Sequence, residues 1–372
     1  IQGVLLRRKR RQTDMKAIVW GVGRIAKDYY TKKVLYRNYE IIAFTDNNSA
    51  LWHTEFNGVP ILPPGEILKL QFDAIFIWNI FIDEIMKQLV EELHVSEDKI
   101  HTFQDLEKDL CRDLMKENKN SKDVEIRKIL DYYQDKGFNI YGYYDKEPSL
   151  PCFVERDNEG WPFIMFEGKR MYYPKAYAFP REDGRECVYD VLFEQGEHSP
   201  HQYITKEGQI RDGSVIIDAG VCEGNFSLRY IDQAKKVYLI ESDPEWMAAL
   251  KKTFKDYEDK VVFCQKFLTR YDSATTITLD TLVKEKIDFL KMDIEGAEID
   301  ALLGGKEILK RSNANCAICS YHRKNDAENI SWIMKNLGYR TSESEGYMFF
   351  VYDERIADSM DFRRGLVYAD KA

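Results

Sequence analysis

The chain has 372 residues, 44% of them hydrophobic and 31% charged, with a formal net charge of −9. That length suits two or three domains of about 100–200 residues each. The acidic balance argues against a nucleic-acid partner, which needs a basic face, and against electrostatic adsorption to an anionic membrane.

No run of about 18 apolar residues occurs, so no transmembrane span is expected. The seven scattered cysteines fit the reduced thiols of a cytoplasmic protein better than a disulfide framework. Cys316-x-x-Cys319 lies in an apolar run without a second such pair, and reads as buried strand thiols rather than half of a zinc site.

Residues 1–14 contain the basic run 7–11 and are expected to be a disordered leader outside the fold. Residues 15–104 read as a small Rossmann-like α/β domain. A short apolar strand runs into Gly21-x-Gly23-x-x-Ala26, a helix follows, and a second strand ends in Phe44-Thr45-Asp46. Gly21, Gly23 and Asp46 mark a nucleotide-like site there. A lone G-x-G-x-x-A is a poor sign of bound NAD, and no Tyr-x-x-x-Lys set follows, so binding or docking is expected rather than redox chemistry. Residues 105–204 are a connecting segment. Leu106, Leu110 and Leu114, then Ile126, Ile129, Leu130 and Tyr133, recur at helical spacing, and an aromatic β-meander occupies 151–155, 161–166 and 170–173.

Residues 205–354 alternate strictly. Strands are expected at 215–218, 236–241, 261–265, 287–293 and 314–320, helices at 225–233, 244–257, 279–285, 297–310 and 326–337, and a closing hairpin at 339–342 and 347–353. Such alternation implies a parallel sheet, here with an antiparallel edge. Residues 355–372 read as a C-terminal tail.

Asp218-x-Gly220-x-x-x-Gly224 follows the first of these strands and precedes a helix. Glycines at such a turn let the backbone approach a ligand, and open α/β sheets bind ligands at this end. The acid Asp218 suits the cationic amino-acid moiety of S-adenosyl-L-methionine, and Glu241 at the end of the second strand suits its ribose hydroxyls. Glu223 and Asn225 complete the cofactor-binding set. A generic strand–turn–helix without cofactor is the bland alternative. Glycines, acid and strand position agree against it.

Lys291-Met-Asp293-Ile-Glu295-Gly-Ala-Glu298 closes the fourth strand. Lys291 and Asp293 share one side of it. Glu295 and Glu298 fall near a helix's first turn, where simple dipole stabilisation explains Glu298 as well as substrate contact does. His322 follows the fifth strand. Asp293 and His322 are the candidate bases for a hydroxyl proton, with Lys291 orienting Asp293. His198, His201 and Tyr203, just before the first strand, are candidates to cover cofactor or acceptor, and a loop held by its own hydrogen bonds is the competing reading.

Residues 205–352 resemble the FkbM family of methyltransferases. The resemblance rests on Asp218-x-Gly220-x-x-x-Gly224-Asn225, Glu241-x-x-Pro244, Thr278-Leu279-Asp280, Lys291-x-Asp293-x-Glu295-Gly296-x-Glu298 and the strand 317–322. This chain has Ser320-Tyr321-His322 where many members place Glu before the His. The resemblance implies a class I, seven-stranded Rossmann-like domain using S-adenosyl-L-methionine. It also implies O-methylation of a hydroxyl on a saccharide or related metabolite in bacterial surface-glycan or secondary-metabolite biosynthesis. Residues 194–203 resemble the leading segment of a longer-chain subset of that family. The N-terminal motif resembles the nucleotide-sugar-binding domain of PglD-type sugar O-acyltransferases.

The expected partner is a small-molecule or glycan acceptor. Two other readings stand beside this one: a non-catalytic nucleotide-sugar-binding scaffold, and a metal-assisted methyltransferase with Asp293, Glu295 or His322 on Mg²⁺ or Mn²⁺. The sequence sets neither metal dependence nor oligomeric state, and a homodimer stays open.

Overall fold

A computed structural model describes residues 15–145, 152–179, 181–182, 185–188, 193–205 and 208–371. The basic leader at 1–14 lies outside the described residues. The chain divides into two compact units, one of Ile1–Phe138 with Val351–Asp361, the other of Asn139–Phe350 with Phe362–Ala372. Among the described residues no helix is long and apolar enough to cross a membrane.

The first unit is built on a six-stranded sheet, in the order Glu55–Phe56, Val59–Leu62, Tyr39–Thr45, Met15–Trp20, Ala74–Ile77, Ile100–Thr102. Its central strands are apolar on both faces: Ala17, Ile18, Val19 and Ile75, Phe76, Ile77 are fully buried, as a parallel sheet covered on both sides requires. A Cβ at Gly21 would stand 2.6 Å from the Trp78 carbonyl oxygen, whereas one at Gly23 would meet nothing within 4 Å. The first glycine of the motif therefore serves the packing of two strand ends. Asp46 accepts a hydrogen bond from the Asn48 backbone N–H at 2.9 Å. Helices Phe103–Asn118 and Val124–Lys136 belong to this unit and not to a connector. Thr102 and Asp105 form a capping box, and Leu106, Leu110 and Leu114 are buried.

The second unit carries a seven-stranded sheet: β1 (Val215–Ala219), β2 (Lys236–Ile240), β3 (Val261–Cys264), β4 (Phe289–Met292), β5 (Asn315–Cys319), β6 (Arg340–Glu343) and β7 (Leu366–Asp370). The order is β3-β2-β1-β4-β5-β7-β6. β1 to β5 are parallel, and β7 runs antiparallel to both β5 and β6. Successive residues of β1 point into opposite cores. Ile216 packs with Phe226, Leu228 and Phe254 on one face, and Ile217 with Leu290, Ile318 and Ile330 on the other. The helices that matter below are α1 (Asn225–Tyr230), α2 (Pro244–Thr253) and α3 (Glu298–Leu303).

Two expectations are corrected here. The segment 347–353 is not the partner of β6. Met348 bridges to Arg363 instead, and the last strand is Leu366–Asp370. The presumed tail is thus the strand β7 between β5 and β6. Leu366 and Val367 are fully buried and Ala369 nearly so, a two-faced pattern that only an interior strand satisfies. The aromatic meander is present as Glu155–Arg156, Pro162–Phe166 and Lys169–Tyr172, but Cys152–Phe153 pairs with Arg185–Val188. Phe163 and Tyr172 pack on Ala249 of α2.

The β7 assignment is testable. Val367→Asp places an unpaired charge beside Ile318 and Ile333 and is expected to cost about 3 kcal/mol or more, read as a fall in the thermal midpoint. An unchanged midpoint would return these residues to the status of a tail.

Candidate active site

The sheet order reverses between β1 and β4, so the loops leaving these two strands diverge and open a crevice at their C-terminal ends. Three groups fix that edge. Asp218 is fully buried, accepts a hydrogen bond from Ser227 Oγ at 2.7 Å and pairs with Lys291 Nζ at 3.1 Å. Lys291 also donates to the Gly220 carbonyl oxygen. Burial alone would pull the Lys291 ammonium down, but the Asp218 and Asp293 carboxylates outweigh it and hold its pKa above the ordinary lysine value. Asp218 is thus engaged inside the protein and does not line the crevice. The contact with a cofactor's amino group that its position suggested becomes an indirect role, holding the loop.

The glycines of that loop admit protein rather than ligand. Gly220 has φ +74, and a Cβ on it would lie 1.6 Å from the Asp293 carbonyl oxygen. Gly224 has φ +82, and its Cβ would meet Leu250 at 2.8 Å and Phe254 at 3.1 Å. They let the loop after β1 close against the β4 loop on one side and α2 on the other.

The crevice has a volume of about 710 Å³. At one end Glu241 stands at the tip of β2, its two carboxylate oxygens accepting from the backbone N–H groups of Cys222 (3.2 Å) and Asp243 (2.9 Å). Trp246 adds an aromatic wall, packed against Tyr173 and Tyr177. Glu223, Asn225 and Glu194 line the crevice as well. Burial pushes the Glu223 carboxyl up to about 7, and the Glu194 carboxylate adds to the rise.

At the other end Asp293 is the hub. Its Oδ2 accepts from Tyr203 OH at 2.9 Å and its Oδ1 from Tyr321 OH at 3.2 Å. His201 Nε2 lies 3.3 Å from Oδ2 and His322 Nε2 3.4 Å from Oδ1. Burial would raise the Asp293 carboxyl, but the hydrogen bond from His201 and the charges of His322 and Lys291 reverse this and hold it well below the usual range. His322 is pushed up to about 9 against its own burial by Glu298 and Asp293. It stands behind Asp293 and does not line the crevice, so it can act on an acceptor only through Asp293.

Of the covering candidates, His201 and Tyr203 line the crevice, and His201 also meets Gln195 and, at 3.7 Å, Glu194. His198 does not, and its side chain is 75% exposed. Glu295 is on the rim with its side chain 85% exposed, while Glu298 is turned inward at 1%. Glu298 accepts from the N–H groups of Ile294 and Gly296, so it folds the β4 loop rather than merely meeting a helix dipole. The sequence reading missed Glu194, Trp246 and Tyr321. Glu194 and Tyr321 lay inside segments already singled out and Trp246 two residues beyond Pro244, but only the folded chain turns them inward.

Residues 176–341 match the family model described as the methyltransferase FkbM domain. This part of the chain is similar to a methyltransferase domain. Residues 13–101 match a different model, the C2185-like N-terminal domain, which takes the place of the sugar O-acyltransferase module suggested by the sequence. Among solved structures, methyltransferase FkbM from Methylobacillus flagellatus KT is 14% identical, with 96% of this chain and 90% of that one covered at a TM-score of 0.45. A putative methyltransferase from Streptococcus mutans in complex with SAH is 17% identical over 44% of this chain and 91% of its own, at a TM-score of 0.32. The magnesium protoporphyrin IX methyltransferase of Synechocystis PCC 6803 with bound SAM is 14% identical over 43% and 71%, at 0.31. No curated protein matches the chain.

Glu223 carries a pH signature. The folded carboxyl keeps its proton to about pH 7, whereas in the unfolded chain it ionises near the ordinary glutamate value. The folded state binds more protons across that window, so stability falls as pH rises through it and is flat above. Glu223→Gln is therefore expected to raise the thermal midpoint of the ligand-free protein more at pH 8 than at pH 5. An equal shift at both would mean that the carboxyl titrates normally.

Proposed function

We propose that the protein is an S-adenosyl-L-methionine-dependent O-methyltransferase that methylates a hydroxyl of a saccharide or related metabolite, in bacterial surface-glycan or secondary-metabolite biosynthesis. The observation that carries this reading is Glu241, a carboxylate at the tip of β2 on the wall of a crevice that opens beside the Gly220–Gly224 loop. A carboxylate at that station can accept both ribose hydroxyls. Trp246 offers a flat apolar face for the adenine, and Asn225 and Glu223 stand where the amino-acid end would lie. The acceptor then occupies the side of Asp293, His201 and Tyr203. The six described free cysteines fit a reducing, cytoplasmic setting.

The chemistry is an in-line displacement. The acceptor oxygen attacks the methyl carbon, the carbon–sulfur bond breaks as the carbon–oxygen bond forms, and the products are a methyl ether, S-adenosylhomocysteine and a proton. Holding the two reactants together supplies most of the acceleration. The attacking hydroxyl becomes far more acidic as its oxygen acquires the methyl group, so even a carboxylate of low basicity can take the proton late in the step. Asp293 is the group placed to do so. Tyr203, Tyr321 and His201 fix its orientation, and His322 is a positioning residue that acts through it.

Glu241→Ala is expected to weaken S-adenosylmethionine binding by about 1–3 kcal/mol, the scale for charged hydrogen bonds left unmade. Calorimetry giving the parent affinity would remove the cofactor assignment. Asp293→Asn keeps the shape and removes the charge. It is expected to lower kcat about 100-fold or more with cofactor affinity nearly intact, in assays over candidate glycans and polyols. His322→Gln should act more weakly and on kcat rather than on cofactor affinity. Near-normal turnover in both would move the proton acceptor to His201.

A further inference from the structure

Behind the acceptor wall lies a polar cluster that this mechanism leaves largely unexplained. Glu298 and His322 are 1% and 4% exposed. Among the described residues, neither ring nitrogen of His322 nor Glu298 Oε2 finds a hydrogen-bond partner. The carboxylates stand off instead. His322 Nδ1 is 3.3 Å from Glu298 Oε1, and Nε2 is 3.4 Å from Asp293 Oδ1. Good N–H···O bonds are shorter, at about 2.7–3.2 Å, and buried polar groups left in this state are costly.

All three residues can serve one ion, each through a single ligand atom. One ligand atom from each of Asp293, Glu298 and His322 lies within 4.8 Å of the other two. At metal–ligand distances of about 2.1 Å, neighbouring ligands of a tetrahedral or octahedral ion are about 3.0–3.5 Å apart and opposite ones about 4.2 Å. Charge points the same way. Two buried carboxylates flank the one imidazole, and the buried Lys291 is already paired with Asp218. An excess of buried acid around one ring favours a bound cation.

We propose that Asp293, Glu298 and His322 hold a divalent transition cation, Mn²⁺ or Zn²⁺, behind the acceptor wall of the crevice. Two carboxylates with one imidazole favour an ion that takes both oxygen and nitrogen, whereas Mg²⁺ and Ca²⁺ prefer all-oxygen shells. Glu298, not the exposed Glu295, is the second carboxylate. The binding itself does not depend on the methyltransferase reading, but its purpose does: a cation behind Asp293 fixes the orientation and charge of the carboxylate that faces the acceptor.

The test uses the full chain, stripped with EDTA, dialysed, and titrated by calorimetry with Mn²⁺ and separately with Zn²⁺. One equivalent of at least one ion is expected per chain, with Glu298→Gln and His322→Gln each weakening it by about tenfold or more. S-adenosylhomocysteine is titrated into the same preparations. Affinity within about twofold of the parent shows that the variants are folded and reads the cofactor site separately. If either variant fails that control, the other together with Asp293→Asn decides. Absence of stoichiometric binding by the parent, or unchanged binding in the folded variants, would leave an imidazolium bridging two carboxylates and overturn the site. Metal binding without any S-adenosylhomocysteine binding would instead retire the methyltransferase reading and leave the metal site standing.

Discussion

An ammonium and a carboxylate taken out of water each cost several kcal/mol unless they meet closely and satisfy their remaining hydrogen bonds. At the centre of the second sheet Lys291 and Asp218 meet closely. They pair at 3.1 Å, Ser227 takes the other carboxylate oxygen, and the Gly220 carbonyl takes another ammonium proton. The pair joins the two strands between which the sheet order reverses. Asp293 N–H donates to the Ala219 carbonyl oxygen at 2.9 Å just beyond it, so the loops that leave β1 and β4 start from a fixed geometry. Glu241 and Asp293, at opposite ends of the crevice, keep their separation because both are referred to this junction. Removing the ammonium alone would leave Asp218 buried without its partner, and the glycine loop would lose its anchor with it.

Much of the architecture was legible because it follows from periodicity. Runs such as Val215–Ala219 and Lys236–Ile240, each followed by an amphipathic helix, can only be buried parallel strands. The loop between Asp218 and Asn225 was legible for a reason that proved incomplete. The glycines were read as space for a ligand, yet the atoms a Cβ would strike belong to Asp293, Leu250 and Phe254. A glycine in sequence says that something approaches the backbone, and only the tertiary structure says what. Asp218 carries the same lesson, since an acid at a strand end announces a partner without saying whether it is a cofactor or a lysine 73 residues away in sequence.

What stayed hidden depends on long-range pairing. Residues 347–353 have the composition of a hairpin arm, but the arm that fits is Leu366–Asp370, because that strand must be apolar on both faces to sit between β5 and β6. Glu295 and Glu298 are equivalent in sequence near the start of α3. A positive φ at Glu295 (+55) and at Gly296 (+86) turns the chain so that the first carboxylate faces solvent and the second folds back onto the N–H groups of Ile294 and Gly296. Helical spacing has no term for such a turn.

The placement of charge in the crevice also bears on how the proposed reaction is accelerated. When a neutral hydroxyl attacks a sulfonium methyl, the total charge stays +1 while its position moves from sulfur to the acceptor oxygen. A carboxylate near sulfur would favour the ground state, and one near the oxygen favours the transition state, so only the second speeds the step. Asp293 is on the side proposed for the acceptor, is held ionised by its neighbours and is fixed in orientation by Tyr203 and Tyr321. Glu241 is placed at the tip of β2 with both oxygens engaged by backbone N–H groups, a station that in the proposed reaction serves binding and not the movement of charge. The other acids of the crevice fit the same division. Burial raises the Glu223 carboxyl to about 7 and pushes Glu194 up as well, so neither matches the firmly ionised Asp293.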